Sequence, residues 1–460
     1  MALSVNSFAQ TKTKRCLNGL ALLLTVFGLA SVVSVTPVLA QEDGEASEEA
    51  QSNRTGSMSE KTYRKLSEAQ ELADAEDFNG ARRVLDELKA SPKLSGYEKA
   101  QIYNFYGYIY FSQDNYAASI DAYSTVLKQP DIPQGLRDAT LYTLAQLYFT
   151  TEKWAKAVEL VEQWLKTAAN PGPQPYILLG SGYYQLASDK TKAADSDWQA
   201  MIKPIETAMR IARERDMDVK EQWYLLLRVA YYELNNLEKV KDILEVLVVK
   251  WPKKDYWTML SAMYGELRSE KRQLAAYEAA YDQELLSRSA ELVQLSQLFM
   301  QAEVPFKAAR VLEKGLEAGT VEKNSENYRL LSSAWQLSGE DRKAIPALKE
   351  AARMASDGEL DVRLANSYLN ISDFDQCVEA VQRGLKRGGV KSEGNAYIVL
   401  GMCQFEKDNY DSAKKAFRSA SRDEKNKKTA LQWIQFIERE EQRLEQLERS
   451  MEQMRSASAG

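Results

Sequence analysis

The strongest constraint on the fold is that the chain repeats itself. Tyr103-x-x-Tyr106-Gly107-x-x-Tyr110 is followed by Asn115-Tyr116-x-x-Ser119-Ile120-x-x-Tyr123. The same grammar returns as Leu141-x-x-Leu144-Ala145-x-x-Tyr148, followed by Trp154-x-x-Ala157-Val158-x-x-Val161. Tyr176-x-x-Leu179-Gly180-x-x-Tyr183 opens another unit, and Tyr224, Leu227 and Tyr231 another. Near the C-terminus come Tyr328-x-x-Leu331-x-x-x-Trp335, Leu364-Ala365-x-x-Tyr368 and Tyr397-x-x-Leu400-Gly401. With weaker units at 62–98, 254–287 and 289–322, this makes about ten units of roughly 33–39 residues. Apolar residues at i, i+3, i+4 and i+7 put one stripe on each of two short helices. Small residues at the eighth place (Gly107, Ala145, Gly180, Ala365, Gly401) and the twentieth (Ala157, Ala344, Ala413) let the paired helices approach closely. An aromatic just after the turn (Tyr116, Trp154, Phe374, Tyr410) plugs the crossing. A lone pair leaves apolar surface open, so each unit must pack on the next.

Composition agrees with a helical array. Of 460 residues only 22 are Gly and 11 Pro, while 44% are hydrophobic. Scarce turn residues beside abundant Ala, Leu, Glu, Lys and Gln favour helices joined by short connections and disfavour an all-β fold.

The first residues read as an export signal. Lys12, Lys14 and Arg15 precede an apolar run from Leu20 to Val35, and Thr36-Pro37-Val38-Leu39-Ala40 offers small residues for cleavage after Ala40. Cys16 stands before the apolar run, so it is not a lipid-attachment cysteine. Residues 41–59 then read as a disordered acidic leader, 60–425 as the repeat array, and 426–460 as a capping helix with a frayed tail. Cleavage takes three cations from the total of 60, leaving 57 basic against 66 acidic residues, a balance of −9. Such a chain repels nucleic acid unless it carries a local basic stripe, and none is visible in the array.

A search for chemistry returns none. Histidine is absent, which removes the commonest general base and metal ligand. No phosphate loop, dinucleotide fingerprint, metal-ligand pair or nucleophile elbow occurs. The expectation is therefore of no enzyme, no cofactor and no metal. Acidic runs such as Glu438-Arg439-Glu440-Glu441 read as solvated helix faces, and Gly388-Gly389 as a turn. Asn53-Arg54-Thr55 and Asn370-Ile371-Ser372 match the glycosylation sequon, a short pattern that also arises by chance.

These units resemble the tetratricopeptide repeats over nearly all of residues 60–425. The resemblance implies an all-α fold: an α–α superhelical solenoid of about ten helix pairs with a C-terminal capping helix. Two departures stand out. The unit at 173–210 carries about nine extra residues around Ser188-Asp189-Lys190-Thr191-Lys192, within an insertion spanning 187–199, and the closing proline is clear only at Pro252. In that family the second, fifth, ninth and twelfth places of each first helix line a peptide groove. Carried onto this sequence they give Asn104, Tyr108 and Phe111; Tyr142, Gln146 and Phe149; Ile177, Ser181 and Tyr184; Leu225, Val229 and Tyr232. The set is aromatic and amide-rich without lysine or arginine, which disfavours capture of a C-terminal carboxylate. It suits an extended, proline-rich or apolar segment.

The resemblance implies a protein-binding scaffold. Arg64-Lys65-Leu66-Ser67-Glu68-Ala69-Gln70-Glu71-Leu72 and the aromatic repeats look like periplasmic tetratricopeptide proteins that accompany TonB, ExbB and ExbD. This would make the chain a periplasmic helper of TonB-dependent uptake across a Gram-negative outer membrane. The alternative is a structural or regulatory factor in cell-envelope assembly. Leu444, Leu447, Met451 and Met454 keep a three–four spacing, which fits either a cap extension or a homodimer contact. Cys377 and Cys403 fall on neighbouring helices of stacked units, within reach of a bridge. Both are core positions where a free buried cysteine packs well, so two free thiols are expected.

Overall fold

The computed structural model describes residues 58–458, all of whose regular structure is α-helical. The export signal, nearly all of the acidic leader and the sequon at Asn53 lie outside the described residues. Contacts divide the chain into two units, one taking in residues up to Ala100 with Gln129–Pro133, the other Gln101–Lys128 with Gln134 onward.

The first unit holds helices α1 (Glu60–Asp74) and α2 (Phe78–Lys89) and the opening of α3 (Gly96–Ser112). It is tied together by Glu98, a buried carboxylate. Ser95 N donates to its Oε2 at 2.8 Å and Ser95 Oγ accepts from Glu98 N at 3.1 Å, a reciprocal capping box. Its Oε1 also accepts from Ser59 N at 3.0 Å, Ser59 Oγ at 2.9 Å and Thr62 Oγ1 at 2.7 Å, capping the start of α1. Burial opposes ionisation of this carboxyl, but the hydrogen bonds from Ser95, Ser59 and Thr62 prevail and hold its pKa at about 2.

In the second unit the pairs follow in strict alternation: α3 with α4 (Tyr116–Leu127), α5 (Gln134–Thr150) with α6 (Trp154–Thr167), α7 (Pro173–Ser188) with α8 (Asp195–Glu214). Next come α9 (Glu221–Glu233) with α10 (Leu237–Lys250), and α11 (Lys254–Glu266) with α12 (Glu270–Asp282). Then α13 (Ser289–Gln301) pairs with α14 (Pro305–Glu317), and α15 (Ser325–Leu337) with α16 (Asp341–Met354). The last pairs are α17 (Glu359–Asn370) with α18 (Phe374–Arg387) and α19 (Glu393–Glu406) with α20 (Tyr410–Ala420), closed by α21 (Glu424–Ser458). With α1 and α2 the described residues thus hold ten helix pairs and a final helix, as the repeat grammar predicts.

The small eighth residue has the expected cause. A Cβ on Gly107 would lie 2.6 Å from the Tyr123 ring of α4, and one on Gly401 would lie 2.7 Å from Phe417 of α20. Ser119 Oγ donates to Gly107 O at 2.8 Å across the same crossing. The turn inside most pairs is also regular, and among the described residues glycine supplies it only at Gly339, between α15 and α16. Asp114, Glu152, Asn235, Arg268, Glu303, Ser372 and Asp408 all adopt positive φ two residues before the second helix. The next N–H then bonds back to the first helix, as from Asn115 to Tyr110 O and from Lys153 to Tyr148 O, both at 2.8 Å. That is the helix-closing pattern usually built on glycine.

Consecutive pairs are joined by tyrosine–glutamate bonds. The Tyr183 hydroxyl of α7 donates to Glu162 of α6, Tyr231 of α9 to Glu206 of α8 at 2.8 Å, and Tyr264 of α11 to Glu245 of α10 at 2.6 Å. Desolvation first, then the facing carboxylate, raises the pKa of each hydroxyl. The series breaks where Ser124 replaces the glutamate opposite Tyr148, and again where Phe299 replaces the tyrosine opposite Glu278. Lys307 takes Glu278 instead, at 2.6 Å.

Two expectations need correction. Cys377 of α18 and Cys403 of α19 form a disulfide, with Cα atoms 6.2 Å apart, instead of two free thiols. Stacking brings the two buried positions face to face, and the bond packs there without exposing either residue. The insertion at 187–199 is not a long loop. Residues 189–194 connect the helices, 187–188 end α7, and 195–199 open α8, which runs to 20 residues. Asp197 stabilises its start by accepting from Ala194 N at 2.8 Å and Lys190 at 2.6 Å.

Glu291 of α13 repeats the Glu98 device in the second unit. It is buried, and accepts from Ser287 N at 2.9 Å, Arg288 N at 3.0 Å and Arg288 Nε at 2.7 Å. Burial again works against its charge, while Arg288, Ser287 and Lys254 outweigh it and hold its pKa at about 2. Carboxyls whose folded pKa is depressed stabilise the fold above their ordinary pKa, and that contribution fades as pH falls towards the folded value. Acid between pH ~4.5 and ~2 should therefore remove on the order of 2 kcal/mol for each group. Glu98→Gln should be less stable than the parent in urea at pH 7, and most of that deficit should be gone at pH 2.5, just above the folded pKa. An equal deficit at both pH values would show that ionisation is not the cause.

Candidate functional site

The groove places belong to the first helix of each pair, and the structure sorts them by exposure. On α3, Asn104 and Phe111 are half-buried and Tyr108 is exposed. Phe111 leans on Tyr116 of α4 with ring centroids 6.0 Å apart. On α5, Gln146 and Tyr142 are half-buried, and the Tyr142 ring lies 5.1 Å from Trp164. Desolvation pushes the Tyr142 hydroxyl up to about 12, so it stays a neutral donor at any physiological pH.

Phe149 and Tyr184 are packed inside. Phe149 is 5% exposed and meets Trp154 edge-on at 4.9 Å, while Tyr184 is 6% exposed with Trp198 at 6.4 Å. Both rings are therefore held by second helices of their own pairs. Tyr232, near the end of α9, is open at 47% exposure. Ile177, Ser181, Leu225 and Val229 are half-buried. The surface rings available to a ligand along these four first helices are thus chiefly Tyr108 and Tyr232, with Phe111 and Tyr142 offering edges. The amides of Asn104 and Gln146 lie between them in sequence.

The same places continue along α15 and α17, where the residue types change. Arg329, Ser333 and Gln336 occupy the fifth, ninth and twelfth places of α15. Arg363 of α17 reaches across to them, donating from Nη2 to Ser333 Oγ at 2.9 Å and Gln336 Oε1 at 2.6 Å. Sequence reasoning stopped its groove assignment at Tyr232. Extending the same places into the later repeats would have found Arg329, Ser333 and Gln336. Arg363, at the sixth place, is visible only in three dimensions.

Two surface cavities lie where the tyrosine–glutamate series is broken. One, of about 300 Å³, is lined by Ser124, Leu127, Leu144, Tyr148 and Leu160. The other, of about 270 Å³, is lined by Tyr281, Phe299, Lys307, Val311 and Lys314. No helix among the described residues is long and apolar enough to cross a membrane. The distal stripe of α21 is open to solvent at Leu447, Met451 and Met454.

Residues 66–133 and 362–426 match the family model of the tetratricopeptide repeat. No curated protein matches the sequence. Among solved structures, the chain is similar to a tetratricopeptide repeat protein from Parabacteroides merdae, at 14% identity over 68% of this chain and 100% of that one, with a TM-score of 0.33. It is similar to MamA from Desulfovibrio magneticus RS-1 (15% identity, 40% of this chain, 95% of that one, TM-score 0.31). It is also similar to YrrB, described as a TPR protein with an unusual peptide-binding site (17% identity, 41% and 96% covered, TM-score 0.34). Repeats of this family mediate protein–protein interactions and bind peptides, and their scaffold is typically non-enzymatic. The segments 66–133 and 362–426 are thus similar to the tetratricopeptide repeat, and the ten described helix pairs share one α–α architecture.

Proposed function

We propose that this chain is an exported, non-catalytic scaffold that holds extended segments of partner proteins along the first-helix face of its repeats. The observation that carries the reading is the placement of Tyr108 and Tyr232 as open rings, with Phe111, Tyr142, Asn104 and Gln146 partly open along the same face. Rings offer flat apolar contact to prolines, and amides can bond an extended backbone that lacks partners of its own. The disulfide between Cys377 and Cys403 supports an oxidising compartment, and with the basic, apolar and small-residue order of the first 40 residues it favours the periplasm. Within that compartment the preferred partner is a TonB-type energy-transduction system, whose components would present the extended segment.

Replacing Tyr108 and Tyr232 with Ala removes two exposed rings worth on the order of 1 kcal/mol each. Recovery of partners on the purified, tagged protein from periplasmic extracts should fall about tenfold, with the melting temperature almost unchanged. Mass spectrometry of the recovered proteins tests the TonB, ExbB and ExbD assignment directly. Undiminished recovery by the double variant would move the binding face elsewhere.

A further inference from the structure

Three crossings between consecutive helix pairs are closed by a tyrosine–glutamate bond, and the cavity beside Tyr148 lies where that closure is missing. Tyr148 of α5 holds the repeat place of Tyr183, Tyr231 and Tyr264, whose hydroxyls donate to Glu162, Glu206 and Glu245. At the place of those glutamates, on α4, stands Ser124, whose side chain is too short to meet the ring opposite. The space between them is the cavity of about 300 Å³, at the lower end of the range for small-molecule pockets.

Three donors line this cavity without a protein acceptor among the described residues: the Tyr148 hydroxyl, the Ser124 hydroxyl and the ammonium of Lys128, the residue that follows α4. Lys156 also lines it and is tied to Glu159 at 2.8 Å, so two cations stand there against one carboxylate. The remaining wall is apolar. Leu144 is buried, Leu127 and Leu160 are half-buried, and all three pack with Tyr148 in one cluster around Ile120 and Tyr123. The cavity beside Phe299 differs in both respects. Phe299 has no hydroxyl, Glu278 is taken by Lys307 at 2.6 Å, and Arg310 faces Glu313 at 3.8 Å.

We propose that the cavity between α4, α5 and α6 is a site for a small monocarboxylate with a short apolar tail. The carboxylate takes the place that glutamate holds in the sister repeats, accepting from the Tyr148 and Ser124 hydroxyls beside the Lys128 ammonium. Its tail covers Leu127, Leu144 and Leu160 and removes their apolar surface from water. An acidic side chain of a docked protein has too few methylenes to cover three leucines, and an uncharged apolar molecule leaves the donors unused. None of the residues lining this cavity belongs to the groove set, so the site stands independently of the scaffold reading.

The test titrates the purified chain with hexanoate, hexanamide and acetate, followed by ligand-observed NMR at neutral pH. Hexanoate should bind at least tenfold more tightly than hexanamide, which lacks the charge, or acetate, which lacks the tail. Added salt should weaken it. Ser124→Glu rebuilds the pair that closes the sister crossings, so it should abolish hexanoate binding while melting stays unchanged or rises. Tyr148→Phe, which places at this site the ring that Phe299 already supplies at the same repeat place, should lose several-fold. Lys128→Met, at an exposed position, should do the same. No binding of hexanoate to the parent chain, or binding that neither Ser124→Glu nor Tyr148→Phe weakens, would overturn the site. Equal binding of hexanoate and hexanamide would overturn the carboxylate as its ligand.

Discussion

Gly358→Val is expected to unfold the corner between α17 and α18 and to cost about 3 kcal/mol or more. Gly358 has φ −90°, so its backbone would suit any residue, and the constraint is purely one of space. A Cβ there would lie 2.0 Å from Gly384 O and 2.6 Å from Gly384 C, both backbone atoms. No side chain can swing aside to make room. The same corner buries Asp361, which is held by Arg383 Nε at 2.7 Å and Arg387 Nη1 at 3.0 Å. Forcing α17 away from α18 would strand that carboxylate in an apolar setting, a further loss. Because repeats touch only their neighbours, damage should stay local. Limited proteolysis should cut within 355–392 while the fragment before residue 330 survives. Unchanged melting and an unchanged cleavage pattern would refute the close-approach argument.

Trp335→Ala should lower unfolding free energy by about 3–5 kcal/mol, the range for emptying a large buried aromatic site. Trp335 is 1% exposed, meets Phe306 edge-on at 5.4 Å and carries Lys343 over its face at 4.8 Å. Its buried indole N–H has no acceptor among the described residues. Trp335→Phe therefore removes volume but no hydrogen bond and should cost far less than Ala. Equilibrium urea unfolding of both variants separates the cases. Equal losses for Phe and Ala would mean that packing is not what holds this position.

Much of this was legible in the residues. The eighth-place glycines announced close helix crossings, and Tyr123 and Phe417 are the rings that need the room. The turns were harder to read, because Arg268, Glu303 and Asp408 adopt a backbone conformation for which glycine is the usual signal. Phe149 and Tyr184 share their repeat place with Phe111 and Tyr232, but whether a ring at such a place is open depends on Trp154 and Trp198 on other helices. The disulfide was misjudged for a similar reason. Spacing put Cys377 and Cys403 on adjacent helices, but only the stacking decides that their side chains meet.

An array held by neighbour contacts is lost from its ends inward, and the two ends of these repeats answer to different chemistry. Cys377 and Cys403, 26 residues apart, fasten the ninth helix pair covalently to the tenth. Peeling that starts at α21 must stop there until a reductant arrives. The start of α1 is held by the Glu98 carboxylate, a grip that protons dissolve. The molecule is thus vectorial in how it fails: acid frees one terminus and reduction the other. In an oxidising, neutral surrounding both latches are shut, and a chain that strays into a reducing compartment arrives already unfastened at its C-terminal end.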